Sequence, residues 1–203
     1  MTIKDFGARV ESVWEGLRPM TKKMLVKALQ ERSGNALPVP TQKFSYDAHA
    51  DWELSRLLSA LDEQAKNAEV KNDAEKLREI RQLAETCASV LEQKTESAEV
   101  FIQLATRAIQ RNDFKKVDRL ADILAERFSA GEVAEIIRST ELAQIRAIGF
   151  ETLAMMPVSL LLPLLDDAVY FEIARNALEQ QAFEFESDEA REVLEQLDFE
   201  ELS

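Results

Sequence analysis

The sequence has few of the residues from which most metal and catalytic sites are built. It holds one cysteine, Cys87, and one histidine, His49, in 203 residues. An intrachain disulfide and a cysteine-histidine zinc site are excluded, because each needs more of these residues. A Ser-His-Asp system could be built only on His49. We therefore expect no metal and no cofactor, and we assign no catalytic residue.

Glycine and proline are also scarce, at five residues each. The glycines are isolated from one another, so the sequence contains neither a phosphate-binding loop nor a dinucleotide-binding fingerprint. Scarce helix breakers, short β-branched runs and abundant leucine, alanine and glutamate predict an almost entirely helical chain. A hydrophobic content of 46% is sufficient for a core.

Long uncharged runs are rare too, and only one stretch is long enough to be considered as a membrane-spanning segment. Residues 147–165 hold a single charge over a length close to the ~20 residues that cross a bilayer. Pro157 and Pro163 interrupt this stretch and two aspartates end it, so we expect a buried helix pair and no membrane span. Charged residues near the N-terminus argue against a signal peptide, and we expect a cytoplasmic protein.

Negative charge is in excess, and it is unevenly spread. The formal net charge is −13. Residues 1–43 carry eight lysines or arginines against four acids, whereas the remaining residues carry 17 against 34. The strong acidic excess of the residues after position 43 opposes nucleic-acid binding and favours a basic protein partner.

Apolar residues recur at an offset of 25 positions in the C-terminal half. The first set pairs Val133, Ile136 and Ile137 with Val158, Leu161 and Leu162. The second set pairs Ile145, Ile148, Gly149 and Leu153 with Tyr170, Ile173, Ala174 and Leu178. A repeat of this kind predicts stacked helix pairs, each of which buries its apolar face on its neighbour.

The later repeat resembles a HEAT-type α-helical repeat. Its first helix ends in a leucine-rich run and an acidic turn, 160–167, and its second helix carries Ala174 and Ala177, where that family has its close contact between repeats. The resemblance covers about residues 129–183. The period is shorter than the usual ~40 residues, and Phe171 stands where the family has arginine. The resemblance implies a short α-solenoid that binds a partner protein.

Helix start and stop signals divide the chain into three parts. Residues 1–46 contain two predicted helices, 3–15 and 20–32, followed by a proline-containing linker. Residues 47–94 predict a helical hairpin. Residues 95–203 predict a short solenoid closed by an acidic capping helix. The predicted fold is therefore all-α, with N-terminal helical hairpins followed by a short α-α solenoid.

The second part has leucines and small residues spaced by three and four, as in paired helices. They are Leu54, Leu58, Leu61, Ala65 and Ala68, then Leu77, Ile80, Ala84, Cys87 and Leu91. Asn72 with Glu75 predicts a capping box, and hence an antiparallel hairpin that turns at residues 67–73. One continuous helix is the alternative. These segments, residues 51–91, also offer a surface for a homodimer.

A histidine-centred group is a candidate ligand site. Carboxylates beside an imidazole could orient it or bind a divalent ion, next to an aromatic wall. The group comprises Asp47, His49, Asp51 and Trp52. The structural interpretation is that Ser45 or Asp47 caps the next helix while the aromatic residues fill the core. The functional alternative is a ligand-binding or enzymatic helical bundle that uses residues 44–52.

Basic side chains on the predicted helix 20–32 form a candidate partner-binding surface. They are Lys22, Lys23, Lys27 and Arg32. The other side of this helix is apolar, and a helix with one basic and one apolar side could bind an anionic membrane surface. The protein would then be a membrane-associated factor. The structural interpretation is a solvated face, or a stripe that pairs with acids elsewhere in the same chain.

The acidic C-terminus has two interpretations. Residues 184–201 carry nine acids and one arginine, with apolar residues at helical spacing. The segment predicts a terminal cap on the last helix pair, or a detachable helix that docks on a partner. Taken together, the sequence predicts a non-catalytic interaction scaffold or regulatory adaptor that presents an acidic helical surface to a basic or amphipathic protein partner.

Overall fold

The computed structural model describes residues 3–32 and 46–201, and all regular elements in these two ranges are helical. A short 3-10 helix, Ile3–Phe6, comes first. The α-helices of the described residues are α1 (Ala8–Gly16), α2 (Pro19–Arg32), α3 (Ala48–Gln64), α4 (Ala68–Lys71), α5 (Ala74–Lys94), α6 (Ala98–Gln110), α7 (Phe114–Arg127), α8 (Ala130–Ser139), α9 (Ala143–Ala154), α10 (Val158–Leu165), α11 (Phe171–Glu184) and α12 (Asp188–Glu201). The predicted all-α class is confirmed.

The chain forms two units, Met1–Thr95 and Glu96–Ser203. The predicted start of the third part, at residue 95, falls beside this division. The predicted boundary at residue 46 stays a prediction. Apart from Tyr46, the linker expected before this boundary lies outside the described residues. Phe44 and Ser45 belong to the part that is not described.

In the first unit, α3 and α5 pack together as a helical hairpin, with α4 in the connection. Seven of the ten residues at the predicted three-four spacing are buried, namely Leu54, Leu58, Leu61, Ile80, Ala84, Cys87 and Leu91, whereas Ala65 and Leu77 are half-buried and Ala68 is exposed. A hairpin is therefore present, and one continuous helix is not. Because these residues already pack within the chain, a second copy would reach them only if the hairpin opened, and the homodimer stays a prediction.

Two details of the first unit differ from the sequence expectations. The helix expected over residues 3–15 is divided at Gly7, whose φ of 113° lies in the region that favours glycine and where a Cβ would come within 2.8 Å of Gln64 Nε2. The N-cap of α5 is Asp73, not Asn72, because the Asp73 carboxylate accepts a hydrogen bond of 3.0 Å from the Lys76 amide.

Helices of the second unit pack in consecutive pairs, α6 with α7, α8 with α9, and α10 with α11. The first helix of each pair contacts the first helix of the next, and the second helices α7, α9 and α11 do the same. Helix α12 packs on α11 and buries Ala190 completely. This contact order is the one expected for stacked helix pairs.

Burial in the second unit follows the 25-residue offset at most of the repeated positions. Ile136 and Leu161 are both inaccessible to solvent, and so are Leu153 and Leu178. Leu162 differs from its counterpart Ile137, because it is 41% exposed whereas Ile137 is 4% exposed. The repeat therefore predicts the buried side of α10 correctly, but it wrongly predicts burial of Leu162 on the outer side.

No single helix in the described parts of the chain is long and apolar enough to cross a membrane. Helices α9 and α10 meet the length and composition criteria only when they are taken together, and the chain bends by 115° between them. The inner side of this pair is buried, as expected for a core helix pair, through residues such as Leu153 and Leu161.

Gly149 marks the closest approach between α8 and α9. A Cβ at this position would lie 2.6 Å from Ile137 Cγ1, whereas a Cβ at Gly131 of α8 would meet its first neighbour at 3.9 Å.

We expect Gly149→Ala to lower the free energy of unfolding by roughly 0.5–2 kcal/mol, because overpacking outweighs the gain in helix propensity. Gly131→Ala, the matched control, should be neutral or stabilise by up to about 1 kcal/mol. Urea unfolding of both variants measures this difference, and equal shifts would contradict the close packing.

Candidate functional site

The residues around His49 form a polar cluster where α2 and α3 begin. Asp47 is the N-cap of α3, and its carboxylate accepts a hydrogen bond of 2.8 Å from the Ala50 amide. Arg18, which precedes α2, donates two further hydrogen bonds to Asp47, at 3.0 and 2.7 Å. The structure therefore shows the capping role that the structural interpretation gave to Asp47.

Glu53 lies at the centre of this cluster, and sequence reasoning did not identify it. Its side chain is 1% exposed. The carboxylate accepts hydrogen bonds from the Arg18 backbone amide at 2.6 Å, from Arg18 Nε at 3.1 Å and from the Thr21 hydroxyl. The first of these bonds satisfies a backbone donor at the start of α2. Glu53 therefore caps α2 from a helix that is more than 30 residues away in the sequence.

The other candidate ligand residues do not converge on one point. His49 is exposed, with its Nε2 3.9 Å from Glu53 Oε1 and its ring centroid 5.5 Å from that of Trp52. Asp51 is buried and accepts a hydrogen bond from the Tyr46 hydroxyl. Trp52 is 52% exposed, so the expectation that it fills the core is wrong. Instead the Arg56 guanidinium lies 4.5 Å from the Trp52 ring centroid, in a cation–π contact.

Electrostatic partners fix the charge states of this cluster. The hydrogen bonds from Arg18 hold the pKa of Asp47 well below its usual value. Burial raises the pKa of Glu53, but hydrogen bonds from Thr21 and Arg18 outweigh burial, and the net pKa is lowered. Within the described ranges, no group of three or more His, Cys, Asp or Glu side chains is placed to hold a metal ion. The cluster joins the starts of two helices, which is a structural role.

The basic stripe on α2 is partly engaged within its own unit. Lys22 Nζ donates to the Glu15 carbonyl at 3.1 Å and lies 5.8 Å from the Trp14 ring centroid. Lys27 Nζ is 3.8 Å from a Glu31 carboxylate oxygen. Lys23 is exposed, and the Arg32 side chain lies outside the described residues. Lys27 thus pairs with an acid of the same chain, as the structural interpretation predicted, whereas Lys22 contacts a backbone carbonyl and an aromatic ring.

A cleft of about 460 Å³ opens between α6 and α8 in the second unit. It is lined by Ser97, Ala98, Glu99, Ile102, Glu132, Glu135 and Ser139. Three of these residues are glutamates and none is a lysine or arginine. The cleft is therefore acidic, with the apolar side chain of Ile102 in its wall. Glu99 is exposed in the first turn of α6.

Ser129 and Glu132 have the sequence spacing of a capping box, but only half of that box forms. Ser129 Oγ accepts a hydrogen bond of 3.3 Å from the Glu132 amide. The Glu132 carboxylate instead accepts a hydrogen bond of 2.7 Å from the Ala98 amide. It therefore caps α6 from α8 and fixes one wall of the cleft against the other.

Glu135 joins the cleft to the turn that precedes α11. Its carboxylate accepts two hydrogen bonds from Arg138, at 2.7 and 2.6 Å, and one of 2.6 Å from the Ser139 hydroxyl. The Tyr170 hydroxyl donates another, at 2.9 Å. These bonds, led by those from Arg138, lower the pKa of Glu135 to about 2. This carboxylate is therefore ionised at neutral pH and stays ionised further into the acid range than an ordinary glutamate.

Comparison with family models, curated proteins and solved structures finds no match to this chain. The resemblance to HEAT repeats stays a prediction from the residues of the later repeat. The geometry of the acidic cleft is therefore the basis for the function proposed below.

Proposed function

We propose that this chain is a non-catalytic interaction module or adaptor whose second unit, a short HEAT-like α-solenoid, binds a basic segment of a cytoplasmic partner protein. The observation that carries the proposal is the acidic cleft between α6 and α8. Its volume of about 460 Å³ lies within the ~300–1,000 Å³ typical of binding pockets.

The lining of the cleft matches a lysine or arginine side chain in two respects. Glu99 and Glu132 supply negative charge for the cationic head group, and Ile102 supplies an apolar wall for the aliphatic stem. Arg138 neutralises part of the charge of Glu135, so Glu99 and Glu132 are the principal attractive charges. The hydrogen bond from the Ala98 amide to Glu132 also joins the two walls of the cleft, and a site restrained before binding loses less entropy on binding.

The stacked helix pairs support the same function. Paired helices that pack only on their neighbours form extended surfaces, and proteins built in this way commonly bind other proteins. The acidic excess of residues 44–203 would attract a basic partner over a Debye length of about 8 Å at physiological salt.

Reversal of one charge in the cleft tests the proposal. We expect Glu99→Arg to weaken binding of a fluorescent lysine-glutamine peptide by about tenfold at low salt, because the new cation repels the peptide at short range. Fluorescence anisotropy measures the affinity. Glu189→Arg on α12 is the control, because it changes the net charge equally at an exposed site outside the cleft. If both variants weaken binding equally, or if the parent protein does not bind the peptide, the cleft is not the binding site.

A further inference from the structure

Helix α10 exposes an uncharged outer face. Its sequence, VSLLLPLL, contains no charged residue. Val158, Leu161 and Leu164 are buried against the unit. The opposite side carries Ser159 and Pro163 in its middle, and its two edges carry Leu160, which is 52% exposed, and Leu162, which is 41% exposed. A soluble helix normally carries charge on such a face, so this one has the composition of an interaction surface.

The turns at both ends of α10 extend this apolar surface. Met155, in the turn before the helix, is 70% exposed, and Val169, in the turn after it, is 57% exposed. We call Met155, Leu160, Leu162, Pro163 and Val169 the α10 strip. Their sequence positions place them along one short helix and its two ends.

The charges around the α10 strip select the kind of partner. Residues 147–190 contain nine acids and a single cation, Arg175. Arg175 is itself engaged, at 3.4 Å from Glu179 and at 3.0 Å from Asp198. An anionic membrane or a nucleic acid would be repelled by this environment. A cationic partner with an apolar side would be attracted.

One hydrogen bond links the residue after Val169 of the α10 strip to a wall of the acidic cleft. Glu135 lines the cleft and accepts the hydrogen bond from Tyr170, and Tyr170 follows Val169 of the strip directly. An α-helix of about 18 residues is roughly 27 Å long, and it can present residues to two separate surfaces along its length.

We infer that the α10 strip binds the apolar side of a cationic amphipathic helix from a partner protein, while basic residues of that helix enter the acidic cleft. This inference rests on the proposed function and specifies the partner. Its recognition mode is an amphipathic helix on an apolar surface, with charge setting the orientation.

Three synthetic peptides of equal length and lysine content test the inference on the full chain. One is an amphipathic lysine-leucine helix, the second has the same composition in scrambled order, and the third replaces leucine by glutamine. We expect the parent protein to bind the amphipathic peptide about tenfold more tightly than the scrambled one, because only the first buries its leucines on the strip.

Two variants separate the apolar contribution from the charge. Leu160→Ser with Leu162→Ser should abolish the preference for the amphipathic peptide and leave binding of the lysine-glutamine peptide unchanged. Phe114→Ser with Val26→Ser is the control, because these side chains are 65% and 41% exposed and lie on α7 and α2. The control should keep the full preference.

The outcomes distinguish the inference from the proposed function. Equal binding of the amphipathic and scrambled peptides would overturn the inference while the cleft remains a binding site. Absence of binding by all three peptides would overturn both. Sedimentation of the parent protein with phosphatidylcholine vesicles, lost in the double leucine variant, would make the strip a membrane contact and overturn the assignment to a protein helix.

Discussion

Leu161→Asp is expected to lower the free energy of unfolding of the second unit by more than about 4 kcal/mol, or to unfold it outright. Leu161 is inaccessible to solvent in the middle of α10, which packs against α8 and α11. The substitution removes a buried side chain and places a carboxylate in an apolar site, and each change alone costs several kcal/mol. Far-UV circular dichroism during urea unfolding measures the loss.

Leu160→Asp is the matched control for this prediction. It makes the same substitution on the neighbouring residue, which is 52% exposed. Exposed substitutions usually change stability by no more than about 0.5 kcal/mol, so this variant should remain folded. Equal destabilisation by the two substitutions would mean that α10 is not oriented as the structure shows.

Local patterns in the sequence predicted much of the fold. The 25-residue offset identified Leu161, Leu153 and Leu178 as core positions, and all three are buried. The three-four spacing of the leucines in α3 and α5 predicted a hairpin, because each helix has one apolar side and the short α4 lies between them. Periodicity reports the buried side of a helix, and it does so without knowledge of the neighbour.

Helix boundaries were predicted less well, because neighbouring residues offer equivalent chemistry. Asn72 and Asp73 can both act as N-caps, and the choice of Asp73 depends on where the hairpin connection ends. The division at Gly7 depends on the close approach of Gln64, which belongs to another helix. A local pattern contains no information on either contact.

The two candidate sites were least predictable, because their central carboxylates accept hydrogen bonds from residues far away in the sequence. Glu53 caps α2, and Glu132 caps α6, each from a distant part of the chain. In the sequence, Glu132 matched a local capping box with Ser129, and that match concealed its tertiary role. His49 was a candidate ligand because it is the sole histidine in the sequence. The residue with the buried polar contacts is instead Glu53, four residues later.

Glu53→Gln is the second substitution for which we expect a large effect. It removes the charge from hydrogen bonds with the Arg18 amide, Arg18 Nε and the Thr21 hydroxyl. Hydrogen bonds to charged groups contribute about 1.5–3 kcal/mol, so the first unit should lose about that much stability. Both tryptophans, Trp14 and Trp52, lie in the first unit, so tryptophan fluorescence during urea unfolding reports on this unit.

Glu63→Gln controls for the substitution itself. Glu63 lies on the same helix, α3, and its ion pair with Arg9 is exposed. Exposed ion pairs contribute little, and the expected change is within about 0.5 kcal/mol. If the two glutamine variants unfold at the same urea concentration, the cap that Glu53 supplies to α2 contributes no more than an ordinary surface contact.

The same cluster should make the first unit sensitive to acid. The folded-state pKa values of Asp47 and Glu53 are both lowered, so the unfolded state binds protons more readily than the folded state. Their stabilising contribution is therefore complete above the unfolded pKa values of about 4 and is lost as the pH falls through the folded values. Arg18→Met removes the main cause of the Asp47 shift and part of the cause of the Glu53 shift, so the fluorescence-detected stability of this variant should fall less steeply between about pH 5 and pH 2. A slope as steep as that of the parent protein would assign the acid sensitivity to other carboxylates of the first unit.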